Sequence, residues 1–237
     1  MPYSLISNNG EEQFTTICAV SGGVDSIYML YHRLLNTDDK ITVMHLSIKR
    51  SVNGRRHEIE TECFWNCINK LKELCRSFEV IDGFSVDGEY SFGWGQGPFD
   101  HEIVAFYGGA LARQLNADKF LVGRTLTEQG RESSRQTAIR SKQIFYAVAK
   151  EVTCDIEWPL GDTFKDDIYD LLPAHIVPMT LGCRQLIFHD DGSWEKCGEC
   201  LSCHITKAAL KKCYALNDWA EAAEGFYSGN PQTYLLG

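Results

Sequence analysis

The chain has 237 residues, 44% of them hydrophobic, and a formal net charge of −9 at pH 7. That length and apolar share suit one domain with an appendage, built around a sizeable core. The acidic balance excludes nonspecific binding to long nucleic acid as the main activity, because such binding rests on Lys and Arg neutralising phosphates. No run of about 18 apolar residues is present to cross a membrane. Met1-Pro2-Tyr3 leads into polar sequence that lacks the charged and apolar regions of a signal peptide. A cytoplasmic protein is expected, with no membrane or long nucleic acid among its partners.

In chain order, residues 1–14 form a polar lead-in and Thr15–Val20 a first strand, followed by a helix from Asp25 to about Asn36 with Ile27, Leu30, Leu34 and Leu35 on one face. Ile41–Ile48 reads as a second strand. A long helical pattern from about Arg56 to Arg76 repeats Ile59, Cys63, Cys67, Leu71 and Leu74 at three-to-four-residue spacing. Phe78–Ile81 reads as a third strand. The stretch Asp82–Asp100, with Gly93-Trp94-Gly95-Gln96-Gly97-Pro98, has neither period and is expected to be a loop near the site. A helix from His101 to about Asn116, a strand over Lys119–Gly123, a helix over Ser134–Lys150 and a strand over Cys154–Trp158 complete the pattern. Strands alternating with helices predict a doubly wound parallel sheet covered on both faces, with ligands gathering at the carboxyl ends of the strands. The boundaries expected are an α/β domain over residues 1–175 and a C-terminal metal-binding helical segment over 176–237.

Ser21-Gly22-Gly23-Val24-Asp25-Ser26 stands where the first strand hands over to a helix. Two glycines allow positive φ and close approach to an anion, and the N–H groups of the turn and helix start point at it. Ser21 and Ser26 add hydroxyls, and Asp25 can orient the loop or sit near a magnesium ion. The bland alternative is a plain strand-turn-helix. The hexapeptide is similar to the signature loop of the PP-loop ATP pyrophosphatases, which cleave ATP between its α and β phosphates, and it is not a Walker A loop, since the Lys-Ser/Thr ending is missing.

Toward the C-terminus, Cys183 is followed by Cys197-Gly198-Glu199-Cys200-Leu201-Ser202-Cys203. Four thiolates at this spacing can converge on a tetrahedron about zinc, in a closed structural site. An iron–sulfur cluster is the rival, and free or disulfide cysteines are the remaining alternative. Cys18, Cys63, Cys67, Cys75, Cys154 and Cys213 fall mostly on apolar faces and are expected to act as small buried hydrophobes.

Together, the Ser21–Ser26 loop and Cys183, Cys197, Cys200 and Cys203 resemble QueC, the 7-cyano-7-deazaguanine synthase family of queuosine and deazapurine biosynthesis. Arg56-His57-Glu58-Ile59 resembles that family's RHxxEI stretch, Val122-Gly123 its TG pair, and Trp158-Pro159-Leu160 with Lys165 its PL-x4-K element. The likeness spans about residues 15–210 with low identity between anchor points.

The resemblance implies a sheet of the adenine nucleotide alpha hydrolase-like (HUP) type and an ATP-dependent carbon–nitrogen ligase. Such an enzyme adenylates the carboxylate of 7-carboxy-7-deazaguanine, and ammonia then gives the amide and, after a second adenylation, the nitrile. It implies ATP, Mg²⁺ and Zn²⁺ as cofactors and a homodimer. By the same resemblance Ser21, Asp25, Ser26 and Lys165 are the catalytic candidates; Val20, Ser21, Gly22, Gly23, Val24, Asp25, Ser26, Gly123 and Arg135 bind the nucleotide; and Cys183, Cys197, Cys200 and Cys203 hold the zinc. His57 could relay a proton or cap surface charge. Arg124, Arg131, Arg135 and Arg140 could bind the adenylate phosphate or stand exposed on a helix.

Two elements depart from the family pattern. Gly97-Pro98-Phe99-Asp100-His101 stands in place of V-P-x-R-N, and Gly130-Arg131-Glu132-Ser133-Ser134-Arg135 in place of G-Y-P-D-C-R. Both fall on loops expected to face the base, so ATP use is better supported than the identity of the acceptor. QueC-like enzymes of antiviral operons, which join the deazaguanine carboxylate as an amide to a protein amino terminus, are one alternative, and a noncatalytic nucleotide- and zinc-binding partner protein is another.

Overall fold

The computed structural model describes residues 13–49, 55–87, 100–125 and 132–213. The expectations for residues 1–12, for Gly93–Phe99, for Gly130 and Arg131, and for the tail from residue 214 lie outside them.

The first half alternates strand and helix: β1 Thr15–Ala19, α1 Val24–Asn36, β2 Lys40–Lys49, α2 Arg56–Leu74, β3 Glu79–Asp87, α3 Asp100–Leu115, β4 Lys119–Val122, α4 Glu132–Val148 and β5 Asp155–Glu157. The second half carries α5 Lys165–Leu171, a 3₁₀ turn at Val177–Met179, a hairpin of β6 Leu186–Phe188 and β7 Trp194–Lys196, and α6 Leu201–Cys213. Among the described residues, β1 to β5 form one parallel sheet in the order β3-β2-β1-β4-β5. No described helix is long and apolar enough to cross a membrane.

Side chains alternate across β1, and this places the two cores. Cys18 faces the layer made by α1, α2 and α5, packing with Ile27, Leu30, Phe64, Leu71 and Ile168. Ile17 and Ala19 face α3 and α4, packing with Met44, Ala112, Phe120 and Phe145. A parallel sheet needs cover on both faces because its strands are apolar on both, and the helices supply it. The doubly wound α/β sheet predicted from the alternation is present.

Two glycines of α3 explain how tightly the second layer closes. A Cβ at Gly108 would sit 2.2 Å from the Phe120 ring, and one at Gly109 would sit 2.8 Å from the Phe145 carbonyl oxygen. Across the same contact Glu102 of α3, nearly buried, is paired with Arg140 of α4.

Two elements differ from expectation. The segment from residue 176, expected to be helical, carries the β6–β7 hairpin before α6, since the chain must turn back to bring Cys197 beside Cys183. The third strand continues through Asp87 into the stretch read as loop, because β2 is ten residues long and offers pairing partners as far as Lys49. The register shifts between Met44 and Leu46, and Gly83 takes φ +91°. A bulge of this kind adds a residue and breaks the two-residue period, so the pattern ended early in the sequence.

Candidate active site and thiolate cluster

In an open parallel sheet the carboxyl ends of strands on either side of the order reversal are left uncovered, because their connections depart to opposite faces. Here that place is between β1 and β4. A cleft of about 600 Å³ opens there, lined by Val20, Ser21, Gly23, Val24, Asp25, Ser26, Gly123 and Lys165 among others.

The loop is shaped by its own hydroxyls. Ser26 Oγ donates to the Gly23 carbonyl at 3.0 Å and accepts from the Ser21 amide at 3.2 Å, while the Gly23 amide reaches Ser21 Oγ at 3.4 Å. Ser26 is 6% exposed and its proton is directed at Gly23, so it closes the turn from within. The expectation of positive φ at both glycines holds at one. Gly22 takes φ +82°, whereas Gly23 is extended and serves as the α1 N-cap with no side-chain bond. A helix start with no side-chain cap suits an anion, because the first amides of a helix have no partner within the helix and here receive none from the N-cap side chain.

Close backbone approach holds this loop in place from two sides. A Cβ at Gly22 would lie 2.8 Å from both the Glu60 carbonyl oxygen and the Phe64 nitrogen of α2, and one at Gly123 would lie 2.7 Å from Ser26 Cα. The buried His45 on β2 adds a polar tie. Its Nδ1 is 2.9 Å from the Val20 carbonyl oxygen, its Nε2 is 3.1 Å from Thr61 Oγ1, and its ring stacks on Phe64 with centroids 4.0 Å apart. Burial lowers the His45 pKa, and the Val20 bond opposes that in part.

Lys165, 140 residues away in sequence, donates to Asp25 Oδ2 at 2.9 Å across the cleft floor, with both side chains mostly buried. On the α2 side Arg56 makes an ion pair with Glu60 at 3.3 Å and donates to the Cys183 carbonyl. Burial raises the Glu60 pKa, with Arg56 pulling the other way. His57 lines the cleft beside them.

Cys183, Cys197, Cys200 and Cys203 converge. Their Sγ atoms all lie within 4.8 Å of one another, and those of Cys183 and Cys197 are 3.6 Å apart. The β6–β7 hairpin brings the first two together, Gly198 at φ +71° makes the tight turn between Cys197 and Cys200, and α6 presents Cys203. Backbone amides point at the sulfurs, from Cys197 to Cys183 Sγ at 3.4 Å and from Cys200 to Cys197 Sγ at 3.3 Å. At Cys200 burial opposes ionisation, but amides of Arg184 and Cys203 and neighbouring thiols outweigh it and bring the pKa down to about 6. Burial raises the pKa of Cys183 and Cys203 in the same cluster, as it does for the core thiols Cys18, Cys63 and Cys154, which it pushes up to about 12.

The arginines after β4 take different places. Arg124 is buried, Arg140 is paired with Glu102, and Arg135 stands exposed on α4 and is not part of the cleft wall. Asp100 and His101, expected on a loop facing the base, line the cleft, while several other cleft residues escaped the sequence reading: Glu60, Leu181, Gly182, Arg184 and Gln185. Glu60 was within reach, since it lies one turn beyond Arg56 on the same helix face. Leu181, Gly182, Arg184 and Gln185 carried no signal of their own, and only the fold brings them to the loop.

No protein-family model matches the chain, and no curated protein sequence matches it. Among solved structures, a U34-tRNA thiolase, NcsA, from Methanococcus maripaludis with its [4Fe-4S] cluster aligns at 13% identity and a TM-score of 0.47, covering 95% of this chain and 73% of that one.

Proposed function

We propose that the chain is a QueC-like ATP-dependent ligase that adenylates the carboxylate of 7-carboxy-7-deazaguanine. Ammonia converts the acyl adenylate to the amide and, after a second ATP-driven adenylation at the amide oxygen, loss of AMP leaves the nitrile. The observation that carries this reading is the Ser21–Ser26 turn at the sheet's order reversal, opening its helix start into the cleft that also receives Lys165.

The chemistry needs such a place. A carboxylate is a poor electrophile because oxide would have to leave. When its oxygen attacks the α-phosphorus of ATP, pyrophosphate departs with the electron pair of the broken P–O bond. The acyl carbon then carries AMP, a stable leaving group that ammonia displaces. Amides of the loop and of the α1 start are suited to the departing pyrophosphate, and Lys165, positioned by Asp25, adds a cation there. Magnesium arriving with ATP would neutralise further phosphate charge.

The four thiolates are assigned to zinc. Four sulfurs about 2.3 Å from one tetrahedral ion stand roughly 3.8 Å from each other, and the observed mutual separations below 4.8 Å are of that order. An iron–sulfur cluster interposes its own core between the ligands and needs them farther apart.

Incubation with ATP, Mg²⁺, 7-carboxy-7-deazaguanine and an ammonium salt, followed by mass spectrometry, tests the reading. Pyrophosphate with a nitrile product supports it. The changed acceptor-side sequence around Asp100 and His101, two residues that line the cleft, favours one other outcome, in which pyrophosphate appears only when a polypeptide amine is supplied and the deazaguanine carboxylate ends as its amide. No pyrophosphate under any condition would leave a nucleotide- and zinc-binding partner protein.

A further inference from the structure

Two of the four thiolate ligands lie within one turn of chain from the elements that shape the cleft. Leu181, two residues before Cys183, donates its amide to the Gly22 carbonyl at 2.9 Å, a direct bond from the cysteine segment to the phosphate-type loop. Thr206, one helical turn beyond Cys203, is fully buried, and its hydroxyl lies 2.7 Å from that of Tyr169. Tyr169 stands one turn beyond Lys165 on α5. Thr206 also packs on the cleft wall, since a Cβ at Gly182 would lie 3.4 Å from its Oγ1.

Arg56, which donates to the Cys183 carbonyl, and Arg55, which lies over the Phe188 ring, also tie the cysteine segment to α2. One apolar contact with the main domain among the described residues is a small cluster in which Leu186 and Trp194 pack only partly buried against Ile59, Cys63 and Leu181. A bound ion that fixes four thiolates fixes Leu181 and Thr206 too.

The geometry points to a coupling in which Thr206 and Tyr169 act as positioning residues: metal held by the four cysteines sets the Gly22 loop and the Lys165 helix in their nucleotide-binding arrangement. This rests on the nucleotide reading above. Linkage makes the coupling reciprocal, so nucleotide must tighten metal binding by the same factor that metal tightens nucleotide binding.

The test uses the intact chain, zinc, and an ATP analogue whose α,β-bridging oxygen is replaced by methylene. Zinc affinity is measured by competition with a chromophoric chelator, with and without the analogue and Mg²⁺. We expect the analogue to tighten zinc binding at least about fivefold. In Thr206→Val, which removes the hydroxyl and keeps the shape, zinc should stay at one per chain while analogue affinity falls about tenfold, as expected when the buried Tyr169 hydroxyl loses a partner. Thr206→Ser should restore it. The coupling is overturned if the analogue binds and leaves zinc affinity unchanged, or if Thr206→Val binds it like the parent. If the zinc-loaded parent does not bind the analogue at all, the ligase reading falls with it.

Discussion

Gly22→Ala tests whether the loop is held by close backbone contact with α2. The added methyl meets two costs. At φ +82° a residue with a Cβ is strained by about 1 kcal/mol. The methyl would also lie 2.8 Å from backbone atoms of Glu60 and Phe64, which cannot rotate away, and overpacking of this kind costs about 1–3 kcal/mol. A total near 3 kcal/mol corresponds to a fall in Tm of roughly 6–12 °C for a chain of this size. Gly192→Ala is the control, because Gly192 has φ +85° with no atom within 4 Å of the added carbon, so it carries the conformational cost alone and should lose only roughly 2–4 °C. Thermal unfolding followed by circular dichroism compares the two. Equal melting temperatures for the two variants would refute the packing argument, whatever their distance from the parent.

Three further outcomes are expected. Lys165→Met should lower pyrophosphate release about 10²–10³-fold, as when one preorganised electrostatic group is removed, and Asp25→Asn, which weakens the 2.9 Å pairing that places Lys165, should lower it less; equal rates for parent and Lys165→Met count against the site. Cys200→Ser should drop bound zinc well below one per chain and open the 183–213 segment to proteolysis, because metal ligation of this type contributes about 10 kcal/mol or more; a brown, iron-containing parent protein would oppose the zinc assignment. The third concerns His45, whose folded pKa lies below its ordinary value of 6.5, so the unfolded chain binds the proton more readily. Its share of stability is complete above pH 6.5 and is lost as pH falls below it. Denaturant unfolding at pH 7.5 and pH 5 should show a smaller loss in His45→Asn than in the parent, and identical losses would exclude the histidine as the cause.

Much of the architecture was legible because it depends on short-range patterns. Apolar runs alternating with 3.6-period stretches mark a parallel sheet with helices on both faces, and the Gly-Gly turn after β1 marks where an anion can approach. The cysteine spacing likewise limits how four sulfurs can gather, and their convergence follows from one hairpin and one tight turn. What stayed hidden depended on partners. The length of β3 was set by β2, and the place of Arg135 by the packing of α4 against α3.

The amino-acid order by itself determined the doubly wound sheet, the turn at residues 21–26 and the set of four thiolates, since each is specified by neighbours a few positions apart. Only the tertiary structure decided that Lys165 meets Asp25 across 140 residues, that α2 presses on Gly22, and that Leu181, Gly182, Arg184 and Gln185 form a wall of the cleft. Those contacts join segments distant in sequence through shape and burial, and no local pattern encodes which buried surfaces will meet.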